Sequence, residues 1–190
     1  KTDRVLDLGT GCGIIALIMA YRQPDILVYG VEIQRHLAEI ADKNVSTNRM
    51  KDRIRILQMD MKALTEKVIS GPVDLIVSNP PYRVSNSGRT NPDQQRAVAR
   101  HEIKITLEEV VKTARRMLKN KGRFVVIISA ERLTDILTLL RLASIEPKRV
   151  LMIHSTADSD AKRVLVEGIK TGRRGLTVMP PLYIYKGDGT

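Results

Sequence analysis

With 190 residues, 43% of them hydrophobic, the chain has the size of one domain with a single sizeable core and is too short for several. A single cysteine excludes an internal disulfide and fits a reducing, cytoplasmic setting, and no apolar run is long enough to cross a bilayer as a helix. A formal net charge of +11 exceeds what solubility needs and points to an anionic partner, most commonly nucleic acid for a soluble basic domain; solvated lysines are the plainer reading.

Along the chain, runs of branched apolar residues alternate with amphipathic stretches, the pattern of an α/β fold with a mostly parallel sheet. A strand is expected at Arg4 to Leu8, a helix at Cys12 to Tyr21, a strand at Leu27 to Glu32, a helix at Gln34 to Thr47 and a strand at Ile54 to Gln58. A helix from Met61 to Ile69 and a strand from Val73 to Ser78 follow, then the irregular stretch Arg83 to Arg100, long enough to suggest a functional loop. Next come a helix at Ile103 to Lys119, a strand at Arg123 to Ser129, a helix at Glu131 to Leu142, and strands at Arg149 to His154 and Arg163 to Lys170. Only the polar loop Ser155 to Lys162 separates the last two strands, which predicts an antiparallel hairpin at one edge of the sheet. Gly71-Pro72 and Asn120-Lys121-Gly122 read as turns before strands, and neither as a domain linker. The first strand starts so soon after Lys1, with no helix before it, that the natural chain is expected to begin earlier; residues 1–190 then form one domain lacking an N-terminal segment.

Val5-Leu6-Asp7-Leu8-Gly9-Thr10-Gly11-Cys12-Gly13 runs from an apolar strand through a glycine-rich turn into an apolar helix. Gly9, Gly11 and Gly13 let the backbone take positive φ and approach a ligand, and the helix start offers free amides. Such spacing alone is weak. Glu32 at the end of the next strand makes it far more specific, because a carboxylate there can accept from both hydroxyls of a ribose. Asp7 separates the two cofactor classes that use such a loop: it would repel the pyrophosphate of a dinucleotide and attract the sulfonium and ammonium groups of S-adenosylmethionine (SAM). Asp60, directly after the third strand, is placed to accept from the cofactor's adenine amino group, with Met61 packing on the ring. An N-cap role for Asp60 is the alternative, and the two are compatible. Cys12 reads as a small packing residue, since no activating base lies near it in sequence.

Ser78-Asn79-Pro80-Pro81-Tyr82 closes the fourth expected strand. In an open parallel sheet, ligands bind beyond the carboxyl ends of the strands, so the loops after the first four strands converge on one crevice. An aromatic amino group has its lone pair delocalised into the ring and is a poor nucleophile. The Asn79 side-chain oxygen and the Pro80 carbonyl can each accept one of its hydrogens, fixing its direction and stabilising the charge that develops. Pro80 and Pro81 stiffen the backbone, and Tyr82 can stack on a flat base, which must be unpaired or flipped out. A rigid turn after a strand is the plain reading of Asn-Pro-Pro; the glycine loop and Glu32 upstream favour the catalytic one. The residues by themselves reach as far as methylation of an amino group on a planar acceptor.

On these residues the chain resembles the class I SAM-dependent methyltransferases, and NPPY at Asn79 to Tyr82 resembles their amino-methylating branch. With Asn91-Pro92, Ala99-Arg100-His101-Glu102, Val150 to Ser155, Leu165-Val166-Glu167, Lys170 and Pro180-Pro181-Leu182, it is similar over nearly its whole length to the tRNA1(Val) (adenine37-N6)-methyltransferase family. The resemblance implies a Rossmann-like fold with a seven-stranded, mostly parallel sheet ending in an antiparallel hairpin. It also implies SAM contacts at Asp7, Gly9, Gly11, Gly13, Glu32 and Asp60, catalysis at Asn79, Pro80 and Tyr82, and N6-methylation of adenine 37 in tRNA. NPPY is shared with DNA adenine, rRNA guanine and protein glutamine methyltransferases. Protein glutamine N5-methylation and methylation of another nucleic-acid amino group are therefore the alternatives, and an RNA-binding module on a remnant fold is the non-enzymatic one.

Arg83, Arg89, Arg96 and Arg100, in the irregular stretch beside the expected acceptor pocket, suit phosphate contacts and base stacking. Lys170, Arg173 and Arg174 read as an exposed basic turn beyond the last strand, suited to a tRNA backbone. Solvated loops are the plain alternative for both groups. Glu102 of His101-Glu102 reads as a helix-start carboxylate, because the ammonium product can lose its proton to water without a dedicated base. His154 reads as structural, no metal site is indicated, and the oligomeric state is not legible.

Overall fold

The computed structural model describes residues 3–80 and 106–185 of the chain. Its strands are β1 (Asp3–Leu8), β2 (Ile26–Glu32), β3 (Ile54–Gln58), β4 (Val73–Ser78), β5 (Leu118–Ser129), β6 (Ile145–His154), β7 (Ala161–Lys170), β8 (Thr177–Val178) and β9 (Leu182–Tyr183). Its helices are α1 (Ile14–Arg22), α2 (Arg35–Thr47), α3 (Leu107–Met117) and α4 (Leu133–Leu142), with 3-10 turns at Met61–Ala63 and Ala130–Arg132. Val5, Leu6 and Leu8 are all buried, as a central strand covered by helices on both faces requires. On one face Ala16 and Ala20 of α1 and Val45 of α2 pack against Val5, Val28 and Ile54. On the other, Val110, Ala114 and Met117 of α3 and Ile136 and Leu140 of α4 cover Leu6, Ile76, Phe124, Val126 and Val166.

The sheet runs β3-β2-β1-β4-β5-β7-β6-β8, with β9 also on β6. β3, β2, β1, β4 and β5 pair in parallel, and β7 lies antiparallel between β5 and β6. The expected α/β class and the hairpin are both present. From β1 the chain winds outward to β2 and β3, then returns past β1 to β4, so the topological switch point lies between the carboxyl ends of β1 and β4.

Four expectations change. The helix Met61 to Ile69 is only the 3-10 turn Met61–Ala63: Met61, Leu64 and Ile69 are buried at a spacing that imitates helical periodicity, but Leu64 already has an extended backbone. The sheet gains two short edge strands, β8 and β9, beyond the expected seven, because the outer edge of β6 offers free backbone groups to the tail. The turn Asn120-Lys121-Gly122 is an excursion within β5, where pairing with β4 jumps from Val73↔Leu118 to Leu75↔Arg123 and Lys121 takes φ +65. A Cβ on Gly122 would lie 2.9 Å from the Lys119 carbonyl oxygen, so the excursion needs glycine there. α3 starts later than expected, at a capping box in which Glu109 N donates to Thr106 Oγ1 and Thr106 N to Glu109 Oε2; the expected start at Ile103 lies outside the described residues. Among the described residues no helix is long and apolar enough to cross a membrane.

Candidate active site

The registers Leu8↔Val31, Glu32↔Gln58 and Leu8↔Ser78 bring the carboxyl ends of β1 to β4 level with one another. The glycine loop, Glu32, Asp60 and Asn79 therefore all leave the sheet at the same rim, around the switch point. Ser78 ties β4 to β1: it is buried, and its Oγ donates to the Leu8 carbonyl at 2.9 Å, which sets Asn79 beside the start of the glycine loop. Asn79 is exposed and Pro80 is buried. Pro81, Tyr82, Arg83, Arg89, Arg96, Arg100, His101 and Glu102 lie outside the described residues.

Gly9, Gly11 and Gly13 take φ of +74, +57 and +83, the left-handed region that favours glycine. Their surroundings differ. A Cβ on Gly9 or Gly11 would meet nothing within 4 Å, so these backbones border open space that a ligand can fill. A Cβ on Gly13 would come within 3.2 Å of the Ala41 Cβ, so that glycine serves the packing of the loop on α2 and opens α1 as its N-cap.

Asp7 is fully buried, and its Oδ2 accepts from the Thr10 hydroxyl at 2.6 Å. Its Oδ1, also buried, has no hydrogen-bond partner among the described residues. Burial pushes the Asp7 carboxyl up from the ordinary 3.8 to about 6; the Thr10 hydroxyl and the Ala16 amide pull the other way, and Glu32 adds to the rise. Glu32 is 5% exposed, its Oε2 accepting from Gly11 N at 3.0 Å and its Oε1 from Gln34 N at 2.8 Å. Each of its oxygens keeps a lone pair for a further donor. An orphaned carboxylate oxygen, a second buried carboxylate and open space above two glycines fit a ligand with a cationic group and a vicinal diol, as SAM has.

Asp60 keeps its alternative role: its Oδ1 accepts from Lys62 N at 2.8 Å as the N-cap of the 3-10 turn, and Lys62 Nζ lies 3.5 Å from its Oδ2. Met61 is 4% exposed and belongs to the core under α3. Cys12 is exposed and not a packing residue; its carbonyl accepts from Asn44 Nδ2 at 2.9 Å, which steadies the loop against α2.

Lys170 is corrected as well. It is 9% exposed and donates from Nζ to the Leu118 carbonyl at 2.5 Å, while burial, with Arg115 near, pulls its ammonium below the ordinary lysine value. It is therefore not part of an exposed basic turn. Arg173 and Arg174 are exposed, but the register Arg123↔Ile169 places their turn by the start of β5, opposite the rim that carries Asn79. His154 is structural, its Nδ1 within 2.6 Å of the Ser159 carbonyl oxygen and its ring against Tyr183. Among the described residues no group of His, Cys, Asp and Glu is arranged to hold a metal.

Sequence reasoning missed Thr10, Gly30, Gln34 and Ser78. Thr10 had a signal, a hydroxyl three residues after a buried carboxylate, and Gly30 is what admits it: a Cβ there would lie 2.9 Å from Thr10 Cγ2. Gln34 acts through its backbone, which no residue type announces.

The methyltransferase small domain family matches residues 1–141. A tRNA1(Val) (adenine(37)-N6)-methyltransferase of Porphyromonas gingivalis is 35% identical over 85% of this chain and 64% of that protein, so the chain spans under two thirds of its length. The protein of the same name from Pedobacter heparinus is 34% identical over 100% of this chain and 78% of its own length. Among solved structures, a predicted O-methyltransferase from Agrobacterium tumefaciens superposes with a TM-score of 0.75 at 23% identity, covering 98% of this chain and 83% of its own. A TehB-like SAM-dependent methyltransferase from Corynebacterium glutamicum gives a TM-score of 0.57 at 18% identity, covering 90% and 81%. At these identities the two structures speak for the fold.

Proposed function

The chain belongs to the methyltransferase small domain family, within the tRNA1(Val) (adenine(37)-N6)-methyltransferases, and on that premise we propose that it methylates the exocyclic N6 of an adenine in tRNA, at adenine 37 of tRNA1(Val). The observation that carries this reading is the tie between β1 and β4, which sets Asn79 beside the glycine loop and the two buried carboxylates. Bound at that rim, SAM supplies an electrophilic methyl group. Asp7 attracts the cationic part of the cofactor through its free Oδ1, Glu32 accepts from the ribose, Gly9 and Gly11 leave room for it, and Asp60 accepts from its adenine amino group. Gly13 assists by holding the loop on α2.

Asn79 and Pro80 then act on the acceptor. The Asn79 side-chain oxygen and the Pro80 carbonyl accept the two amino hydrogens, which turns the nitrogen lone pair toward the cofactor side and stabilises positive charge as it grows on that nitrogen. By their place in the sequence, Pro81 stiffens this acceptor pair and Tyr82 stacks on the base. The arginines from Arg83 to Arg100 follow directly and suit the flanking phosphates, and the net charge of +11 suits a tRNA partner in the cytoplasm.

The test is transfer of labelled methyl from SAM to total tRNA, followed by nucleoside analysis. N6-methyladenosine is the expected product. Label in protein glutamine, or no labelled nucleoside while SAM still binds, would overturn the assignment.

A further inference from the structure

Asp60 sits on an element that cannot stand alone. The 3-10 turn Met61–Ala63 has too few hydrogen bonds to offset the ordering of its backbone. Within it, Ala63 N donates to the Asp60 carbonyl at 3.0 Å and Leu64 N to the Met61 carbonyl at 3.2 Å. Arg116, on the last turn of α3, satisfies the outward carbonyls: Nη2 donates to Met61 O at 3.1 Å and Lys62 O at 3.2 Å, and Nε donates to Leu64 O at 3.2 Å. A planar fork matches this set of acceptors as an ammonium cannot, and its charge sits where the turn's carbonyls gather negative potential. The turn is thus pinned at both ends, by the Asp60 carboxylate on Lys62 N and by the Arg116 guanidinium on the carbonyls.

We propose that Arg116 is a positioning residue for cofactor recognition, holding the turn so that Asp60 meets the 6-amino group of the cofactor's adenine. The inference rests on the assignment of Asp60 to that amino group. Met61 and Leu64 anchor the turn in the core independently, so losing Arg116 loosens the turn without unfolding the domain. Arg116 would then set specificity without touching the cofactor, through three carbonyls that no residue pattern reveals.

The test measures equilibrium binding by calorimetry of S-adenosylhomocysteine and of its purine analogue lacking the 6-amino group. Wild type is expected to prefer the amino compound by roughly tenfold, the worth of one hydrogen bond to a charged acceptor. Asp60→Ala abolishes the preference, Arg116→Ala reduces it to about twofold or less, and Arg116→Lys, which keeps the charge but not the fork, falls between Arg116→Ala and wild type. Helical circular dichroism checks the fold, and Arg116→Lys decides the matter if Arg116→Ala does not fold. Wild-type preference in both Arg116 variants, with the preference gone in Asp60→Ala, would overturn the positioning role and leave the Asp60 assignment standing. Wild-type preference in Asp60→Ala would overturn the assignment and the inference with it.

Discussion

Asp7 combines burial, a hydrogen bond from the Thr10 hydroxyl and an unpartnered oxygen, which makes it costly to ionise until a cation arrives. Its native carboxyl holds a proton more tightly than the unfolded one, with a pKa raised to about 6 from 3.8. Stability from this group is therefore fully present below the unfolded value and is lost as pH rises through about 6, a difference of about 3 kcal/mol. A cofactor ammonium or sulfonium beside Oδ1 favours the ionised form and reverses that balance. S-adenosylhomocysteine affinity is expected to fall as pH drops below 6, by up to about tenfold per pH unit, with proton release on binding. Calorimetry in buffers of different ionisation enthalpy checks this, and Asp7→Asn should bind weakly with a flat pH profile. An unchanged pH dependence in Asp7→Asn would contradict the role given to its carboxylate.

Among the elements, α3 braces the turn that carries Asp60, through Glu109 on Lys62 and through Arg116 on the turn's carbonyls. Its first turn carries the Thr106–Glu109 capping box and its last turn carries Arg116. Thr106→Ala removes the cap and is expected to lower stability by about 1 kcal/mol, read as a drop in thermal midpoint. The strands were legible in the sequence because Val5, Leu6 and Leu8, or Val28 and Val31, form apolar runs that suit only a buried strand. What escaped lacked a local signal. Thr177–Val178 and Leu182–Tyr183 are exposed two-residue strands that exist because β6 has an open edge, a property of a distant segment. Met61, Leu64 and Ile69 point to the core from a chain that is mostly not helical, and burial periodicity cannot tell that from a helix. Lys170 could have been placed correctly: Val164, Val166 and Gly168 alternate with it on the buried face of β7. At the site, Asp7, the glycines and Glu32 could be read from side-chain chemistry, whereas the Gln34 amide and the carbonyls held by Arg116 are backbone groups.

For the whole molecule, the sheet separates two ends. Strand ends carrying Gly9, Glu32, Asp60 and Asn79 meet at one rim, while Arg173 and Arg174 lie by the start of β5, about 20 Å away at the usual rise along a strand. Arg173→Glu with Arg174→Glu should therefore leave S-adenosylhomocysteine affinity unchanged, with any loss confined to the KM for tRNA. The net charge of +11 predicts steep salt dependence. tRNA affinity should fall about a hundredfold between about 50 and about 200 mM salt as counterions are released. A flat response in filter binding would favour a protein substrate.

The most direct test of Asn79 as the group that holds the acceptor nitrogen compares wild type with Asn79→Ala in two assays, S-adenosylhomocysteine binding and methyl transfer to tRNA. The expected outcome is a wild-type dissociation constant, with transfer reduced by about a hundredfold or more, because the side-chain oxygen acts on the acceptor nitrogen and not on the cofactor. Transfer at the wild-type rate in Asn79→Ala would contradict that role.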